Sequence, residues 1–530
     1  MKQVSKQYFY LSTIAVALAG CGGGSDSADQ VAPAAYYQTK APYQPQQDAA
    51  TYEAPPAGFT PVFTELVARH GSRGLSSLKY DAAMYAIWQK AAADNALTPL
   101  GQQLGADVLK LMKANALLGY GVAGISKPGY GNETQTGINE HKQLAMRMVN
   151  RLSSFFSQVG AAAATAPRQI IAVSSGVDRA KDSASFFTQS LAATAPALAP
   201  LITLPPAPAG YPADAPVAMP NGTDRFTLYF HALVPATDKV IDPADPHYQT
   251  YQDSQAYQAY LSGNADYKAK LAALQVDANA KTVARTVLER LFTKAFVDKI
   301  DNGTYTFANT GTYSFTSDDG KFTNTLTGDG KTKVNGIVDA VEMLYNLYVI
   351  APGMKSEVSV DFNQYMPSEQ AKYLAYLQDA EDFYKMGPSF TESNGVTYKM
   401  AQSLQDDFFK EVDAIAKGDL SHAAKVRFAH AEIMIPFASK MGLKNVIAPL
   451  PKAQMYTYDN NPWRGDYVSP MAANMQWDVY RDSKGSLLVK MLYNEKETDF
   501  KAECDSAKIA PSSHFYDYTR LKACYQHVAS

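Results

Sequence analysis

The chain has 530 residues, of which 46% are hydrophobic and 19% charged, with a formal net charge of −3. That length can bury one large core or two, and the charge balance gives no bulk attraction to nucleic acid or to an anionic membrane. A ligand carrying phosphate therefore needs a local basic pocket.

The first segment reads as a targeting signal. Lys2 and Lys6 form a positive n-region, and residues 8–18 form an apolar h-region too short to span a bilayer as a stable helix. It ends in Leu18-Ala19-Gly20-Cys21, which looks like a bacterial lipoprotein cleavage box. On this reading 1–21 is a lipoprotein signal and the mature chain starts at a lipidated Cys21. Ordinary secretion with cleavage nearby is the alternative. The expected location is the bacterial cell envelope, periplasm or surface, with membrane contact only through the lipid. No other apolar run is long enough to span a membrane. There are three cysteines. With Cys21 lipidated, Cys504 and Cys524 remain as a pair in an oxidising compartment and are expected to bridge. No C-x-x-C pattern supports the alternatives of a metal site or two free thiols.

Residues 22–58 are rich in Gly, Ser, Ala, Pro, Gln and Tyr with little apolar periodicity, which predicts a flexible tether. Residues 63–74, Phe-Thr-Glu-Leu-Val-Ala-Arg-His-Gly-Ser-Arg-Gly, then begin apolar and β-prone and end on two arginines flanking a histidine. A short buried strand would throw Arg69, His70 and Arg73 into one turn. Guanidinium forks match phosphate oxygens in bidentate fashion and stay charged, and a neutral imidazole between them can attack phosphorus. The spacing predicts helices over 81–93 and from Thr98, with Thr98 as N-cap and Pro99 first. A Gly-rich loop over 120–137 follows, then helical spacing over 139–156. From Arg168 a β-branched run, a turn through Asp178 and Arg179, and a helix through Ser183, Ala184 and Phe187 repeat the strand–turn–helix pattern.

From 191 to 419 the character changes to Ala/Pro-rich loops and longer helical patterns, such as 284–300 and 334–348, with a Thr/Gly/Asn hairpin or surface loop over 304–327. Gly328-Asp-Gly-Lys331-Thr332 ends like a P-loop, but Thr325 stands where its leading glycine belongs, so that reading fails. A third strand–turn–helix, 425–437, carries His430 and Glu432, and 467–495 alternates like two antiparallel strands around 482–485. The expected fold is α/β, with a mainly parallel central sheet flanked by helices. The core would be built from 59–190 and 420–530, with a mainly helical cap, 191–419, inserted between them.

Ligands in open α/β sheets bind beyond the carboxyl ends of the strands. Neighbouring parallel strands would therefore gather Arg69, His70, Arg73, Arg179, His430 and Glu432 from positions about 360 residues apart. His70 is then the candidate nucleophile. Arg69, Arg73 and Arg179 hold the equatorial oxygens, and His430 adds a donor. Glu432 protonates the departing alkoxide. No metal and no cofactor is required. The other histidines, His231 among them, show no zinc-ligand spacing and read as structural.

Arg69-His70-Gly71-x-Arg73, Ser174-Ser175-x-x-Asp178-Arg179 with Ser183-Ala184, and His430-Ala431-Glu432 resemble the three catalytic blocks of the histidine acid phosphatases, which include the phytases. The family usually continues R-H-G-x-R-x-P; here Gly74 and Leu75 stand in place of x-Pro, a departure in the backbone after the pocket. Most members have His-Asp at the last block. His-Ala-Glu, together with 379–387 and 469–474, is similar to the multiple inositol polyphosphate phosphatase subgroup. The resemblance implies a phosphoglycerate-mutase-like core and a small-molecule phosphate ester as substrate, phytate or a related inositol polyphosphate, in a pocket shaped by the cap. Lys79 is a candidate for a second substrate phosphate. A broad acid phosphatase is the alternative enzyme, and a catalytically inactive surface binding protein on the same fold a further one.

Overall fold

The β-branched and apolar run before Arg69 forms the central strand β1 (Thr60–Arg69), whose last seven residues are buried. A computed structural model describes residues 35–206 and 219–527; the expected signal segment, Cys21 and residues 22–34 lie outside them. Around β1 the sheet takes β2 (Gln169–Ser174), β3 (Ile202–Thr203), β4 (His422–Ala429), β5 (Asn474–Arg481), β6 (Leu487–Tyr493), β7 (Lys496–Glu497) and β8 (Phe515–Asp517). Their order is β7-β6-β5-β1-β4-β2-β3, with β8 paired to β6. β1, β4, β2 and β3 run parallel, and β5 continues the sheet antiparallel to β1. The hairpin expected over 467–495 is β5 and β6, turned by Asp482, whose carboxylate accepts the Ser486 N–H.

Each parallel strand of the pattern is followed by its helix. The Thr98 hydroxyl accepts the Gly101 N–H at the start of α2 (Pro99–Leu117), after α1 (Tyr80–Ala93). Helix α3 (Gln135–Arg151) begins earlier than expected because Thr134 caps it through the Gly137 N–H. Helix α4 (Asp178–Thr194) follows β2. Between β3 and β4 the described chain is mainly helical and includes α5 (Ile337–Ile350) and α6 (Ser368–Lys385). The helix expected over 284–300 is two, Ala278–Leu288 and Lys294–Asp301, and Thr312–Thr316 pairs with Thr323–Thr327 in the expected hairpin. Helix α7 (Ala431–Lys440) starts directly after β4. One hydrophobic core joins Val67 and Trp477 of the sheet to Ile87, Val108, Leu344 and Phe383 of α1, α2, α5 and α6.

Two features differ from or complete the sequence reading. Residues 35–58, expected as tether, are fastened to the fold: Tyr43 N–H donates to Glu140, the Tyr43 hydroxyl to Glu495, and Gln46 N–H to Asn494 O. Tyrosines supply the apolar surface that packs this segment, as Tyr37 does against Tyr348. Cys504 and Cys524 form a disulfide, with Cα atoms 5.6 Å apart.

Candidate active site

The parallel trio β1, β4 and β2 delivers the three motifs side by side. The His70 N–H donates to Ala429 O at 2.9 Å, and the Ser175 N–H to Phe428 O at 3.0 Å, so the turns after the strands are laced together. The signature turn is held from behind by two buried carboxylates. Gly71 N–H donates to Glu133 Oε1 at 2.7 Å, and Ser72 N–H to Glu140 Oε2 at 2.6 Å. Helix α3 presses on the same turn so closely that a Cβ on Gly71 would lie 2.6 Å from Gly137 O. Leu75, which stands where the family pattern has Pro, uses the backbone N–H that proline lacks. Asn115 Oδ1 accepts the Leu75 N–H at 2.7 Å and occupies the place where a Cβ on residue 74 would sit, 2.3 Å away.

His70 is 2% exposed, and its Nδ1 lies 2.9 Å from Gly71 O. A carbonyl only accepts, so Nδ1 carries the proton and Nε2 keeps its lone pair. Burial, followed by Arg179, Arg69, His430 and Arg73, pushes the imidazole pKa well below its ordinary value. The ring is therefore neutral, as a nitrogen nucleophile must be.

Three guanidiniums surround it. Arg69 is anchored through Nη1, which donates to Thr39 O and Ser469 O, both at 2.6 Å, and to Pro470 O at 3.3 Å. Arg73 Nη1 donates to Gly74 O at 2.7 Å. The Nε atoms of Arg69, Arg73 and Arg179 are buried without a protein partner, an arrangement that leaves donors for an anion. Burial brings Arg69 down to about 10, and burial with Arg179 and Arg69 brings Arg73 to about 9, so both stay charged at neutral pH.

His430 stands at the N-terminal boundary of α7 and meets the His70 ring edge-on, centroids 5.5 Å apart. Its Nε2 is 2.8 Å from Ser175 Oγ, while Nδ1 is buried without a partner. Glu432 follows in the first turn of α7. Burial would raise its pKa, but His231, His430, its own backbone N–H and Lys385 outweigh that and hold it well below the usual carboxylate range. His231, read from sequence as structural, sits behind these groups, 6.2 Å from the His430 ring, with burial lowering it to about 4. No spacing signal in its apolar Tyr-Phe-His-Ala surroundings points there.

Arg69, His70, Arg73, Arg179 and Glu432 line one cavity of ≈ 230 Å³, while His430 and His231 are not among its lining residues. Its walls also carry Lys40, Tyr80, Glu381, Asp382 and Lys385. Lys79 precedes the first turn of α1 and is not among the residues lining the cavity, whereas Tyr80 is. Successive residues at a helix start point in widely different directions, and the pocket side falls to Tyr80. The subgroup motif 379–387 contributes Glu381, Asp382 and Lys385, and 469–474 contributes the carbonyls that hold Arg69. Among the described residues no group of three or more His, Cys, Asp and Glu side chains is placed to hold a metal ion.

Known proteins are similar to this chain in sequence and fold. The chain is similar to the multiple inositol polyphosphate phosphatase of Bifidobacterium longum, 33% identical over 93% of this chain and 97% of that one. The TM-score is 0.78 for that enzyme's complex with inositol hexasulfate and 0.80 for its complex with phosphate. The phytase of D. castellii, 12% identical over 92% of this chain and 84% of that one with a TM-score of 0.55, shares the fold. Human multiple inositol polyphosphate phosphatase 1 is 26% identical over 134 residues, 24% of this chain; the match spans 28% of the human protein's length. The histidine phosphatase superfamily (branch 2) matches residues 63–494, from the strand that delivers His70 to the end of the β5–β6 hairpin, and the chain belongs to that family.

Proposed function

We propose that the protein is an exported, lipid-anchored phosphomonoesterase that hydrolyses phytate or related inositol polyphosphates through a phosphohistidine intermediate. The observation that carries the reading is the neutral His70 with its Nε2 lone pair, set among three guanidiniums in one cavity. The B. longum enzyme, a multiple inositol polyphosphate phosphatase solved with inositol hexasulfate, supports the substrate class.

In the first step His70 Nε2 donates its electron pair to phosphorus, and the bond from phosphorus to the ester oxygen breaks towards that oxygen. Glu432 gives the departing alkoxide its proton. Arg69, Arg73 and Arg179 stay fixed while charge spreads over the equatorial oxygens, and His430 Nδ1–H adds a donor when Ser175 donates to Nε2. In the second step Glu432, now a carboxylate, takes a proton from water as that water attacks phosphorus. The P–N bond returns its pair to Nε2. The balance is ester plus water to alcohol plus phosphate. Glu432 begins as a carboxylate in the empty site, and an arriving phosphate dianion is the charge that would raise its pKa and load the proton.

The test is His70→Ala with the fold checked by circular dichroism. Turnover of phytate should vanish, and acid-labile phosphate should appear on His70 only in the wild type during turnover. Activity close to wild type in the variant would rule the mechanism out.

A further inference from the structure

Residues 36–46 close one side of the cavity as a strap. The Tyr345 hydroxyl donates to Tyr36 O at 2.8 Å, and the Tyr37 ring packs on Tyr348 with centroids 5.1 Å apart. Gln38 Nε2 donates to Asp382 Oδ2 at 2.7 Å, Thr39 O receives Arg69 Nη1, and Ala41 O receives the Met471 N–H at 2.9 Å. A segment held at this many points presents whatever it carries in one place.

What it carries is Lys40. Its Nζ donates to Thr39 Oγ1 at 3.0 Å, and no carboxylate forms an ion pair with it within 4.0 Å among the described residues. An ammonium has three donors, so most of its bonding capacity faces the cavity it lines. The groups charged towards it are Arg69, Arg73, Asp382 and Glu432. Asp382, tied to the strap by Gln38, also acts on Lys385 of α6, so strap and helix bring two ammoniums to one region of the wall.

A single phosphoryl group at His70 is already met by the free N–H groups of three arginines and by His430. That leaves the ammoniums on the strap side, Lys40 and Lys385, for a further anionic group. A substrate with phosphates on adjoining carbons supplies a second dianion to that side.

We propose that Lys40 is a specificity-determining residue that binds a phosphate of the substrate other than the one cleaved, and that the strap is part of the substrate site. This rests on the inositol polyphosphate reading above. Burial, with Arg69 and Arg73 beside it, brings Lys40 down to about 7, and a neighbouring phosphate dianion reverses that by favouring the charged form.

The experiment compares the full chain with Lys40→Met, which keeps the aliphatic stem, and with Lys40→Arg. Binding of inositol hexasulfate and of inorganic phosphate is measured by calorimetry, and KM and kcat for phytate and nitrophenyl phosphate alongside. Lys40→Met should weaken inositol hexasulfate by about tenfold or more, the worth of one charge-assisted contact, and inorganic phosphate by less than about twofold. KM for phytate should rise by a similar factor with kcat little changed, and Lys40→Arg should restore most of the loss. Melting temperatures equal to wild type show that the variants fold. Equal weakening of both probes, which would place Lys40 at the cleaved phosphate, overturns the proposal, and so does unchanged hexasulfate binding. The binding arms stand apart from turnover. A wild type that cannot hydrolyse phytate while the hexasulfate-to-phosphate split holds would refute the substrate reading and leave Lys40 as a second-anion site.

Discussion

Glu432→Gln separates two effects of opposite sign. The variant keeps the size and the helical turn but removes a proton and a charge. An inositol alkoxide is strongly basic and leaves badly unprotonated, so loss of the acid should cost on the order of 10²–10⁴-fold on phytate, about 3–5 kcal/mol at about 1.4 kcal/mol per decade. Nitrophenolate leaves largely unaided, and its ester should lose less than about tenfold. The charge acts the other way. Glu432 is held as a carboxylate in the empty site, where it repels a phosphate dianion. A unit charge and a dianion at roughly 5 Å in an effective dielectric of about 20 interact by about 7 kcal/mol, and the surrounding arginines screen most of that. Inorganic phosphate should therefore bind the variant about tenfold more tightly than wild type. Quenched single turnovers on both esters and calorimetry with phosphate read the two effects. His430→Ala is the control: a pocket donor serves any leaving group, and its loss should slow both esters comparably. If Glu432→Gln slows both equally, the proton comes from another residue. If phosphate binds the variant more weakly, Glu432 is not an anion in the empty site, and the electrostatic account fails.

Other expectations follow from groups around and beyond the cavity. His70 must be neutral to attack, and burial with its cationic neighbours disfavours the imidazolium. The neutral form therefore persists as pH falls through the ordinary imidazole range, and the acidic limb of kcat/KM should lie well below pH 6.5; a limb at or above that value contradicts the arrangement. The Cys504–Cys524 bridge closes a loop of sequence separation 20, so the double serine variant should lose about 3 kcal/mol in denaturant unfolding, and an unchanged midpoint would show that the bridge contributes nothing. Cys21→Ser should release the enzyme from membranes or block its processing, and unchanged fractionation would refute the lipid anchor.

The parts of this site legible in the sequence are those made by local pattern. A buried strand ending in a polar turn places Arg69, His70 and Arg73; the same logic places Arg179 and His430, because parallel pairing of β1 with β4 and of β4 with β2 is a rule of such sheets. Thr98 and Pro99 likewise announce α2. What was illegible arrives from a distance. Lys40 reaches the cavity because of bonds to Asp382, Ser72's partner Glu140, Met471 and Asn494, none of which a composition reading can see. Polar, Pro-containing sequence suggests a tether, yet Tyr37, Tyr43 and Tyr52 are the available sign that the segment packs, since tyrosine buries a large apolar face with its hydroxyl satisfied. Lys79 stands outside the cavity lining for the converse reason: nearness in sequence to the signature does not survive the start of a helix. His231 lies in an apolar run that looks like core, and only the packing of its ring against His430 reveals it.

The clamp on Arg69 has a consequence in time. Ser469 O, which holds Nη1, is 400 positions later in the chain, and Pro470 O 401. At about 5–20 residues per second of synthesis, a ribosome takes roughly 20–80 s to travel that far. For most of that interval the signature residues exist on a nascent chain without His430 or Glu432, and until its end Arg69 lacks the carbonyls that clamp its guanidinium. A truncated product ending between residues 73 and 430 carries the whole R-H-G-x-R signature and neither His430 nor Glu432. The chain becomes an enzyme only near the end of its making.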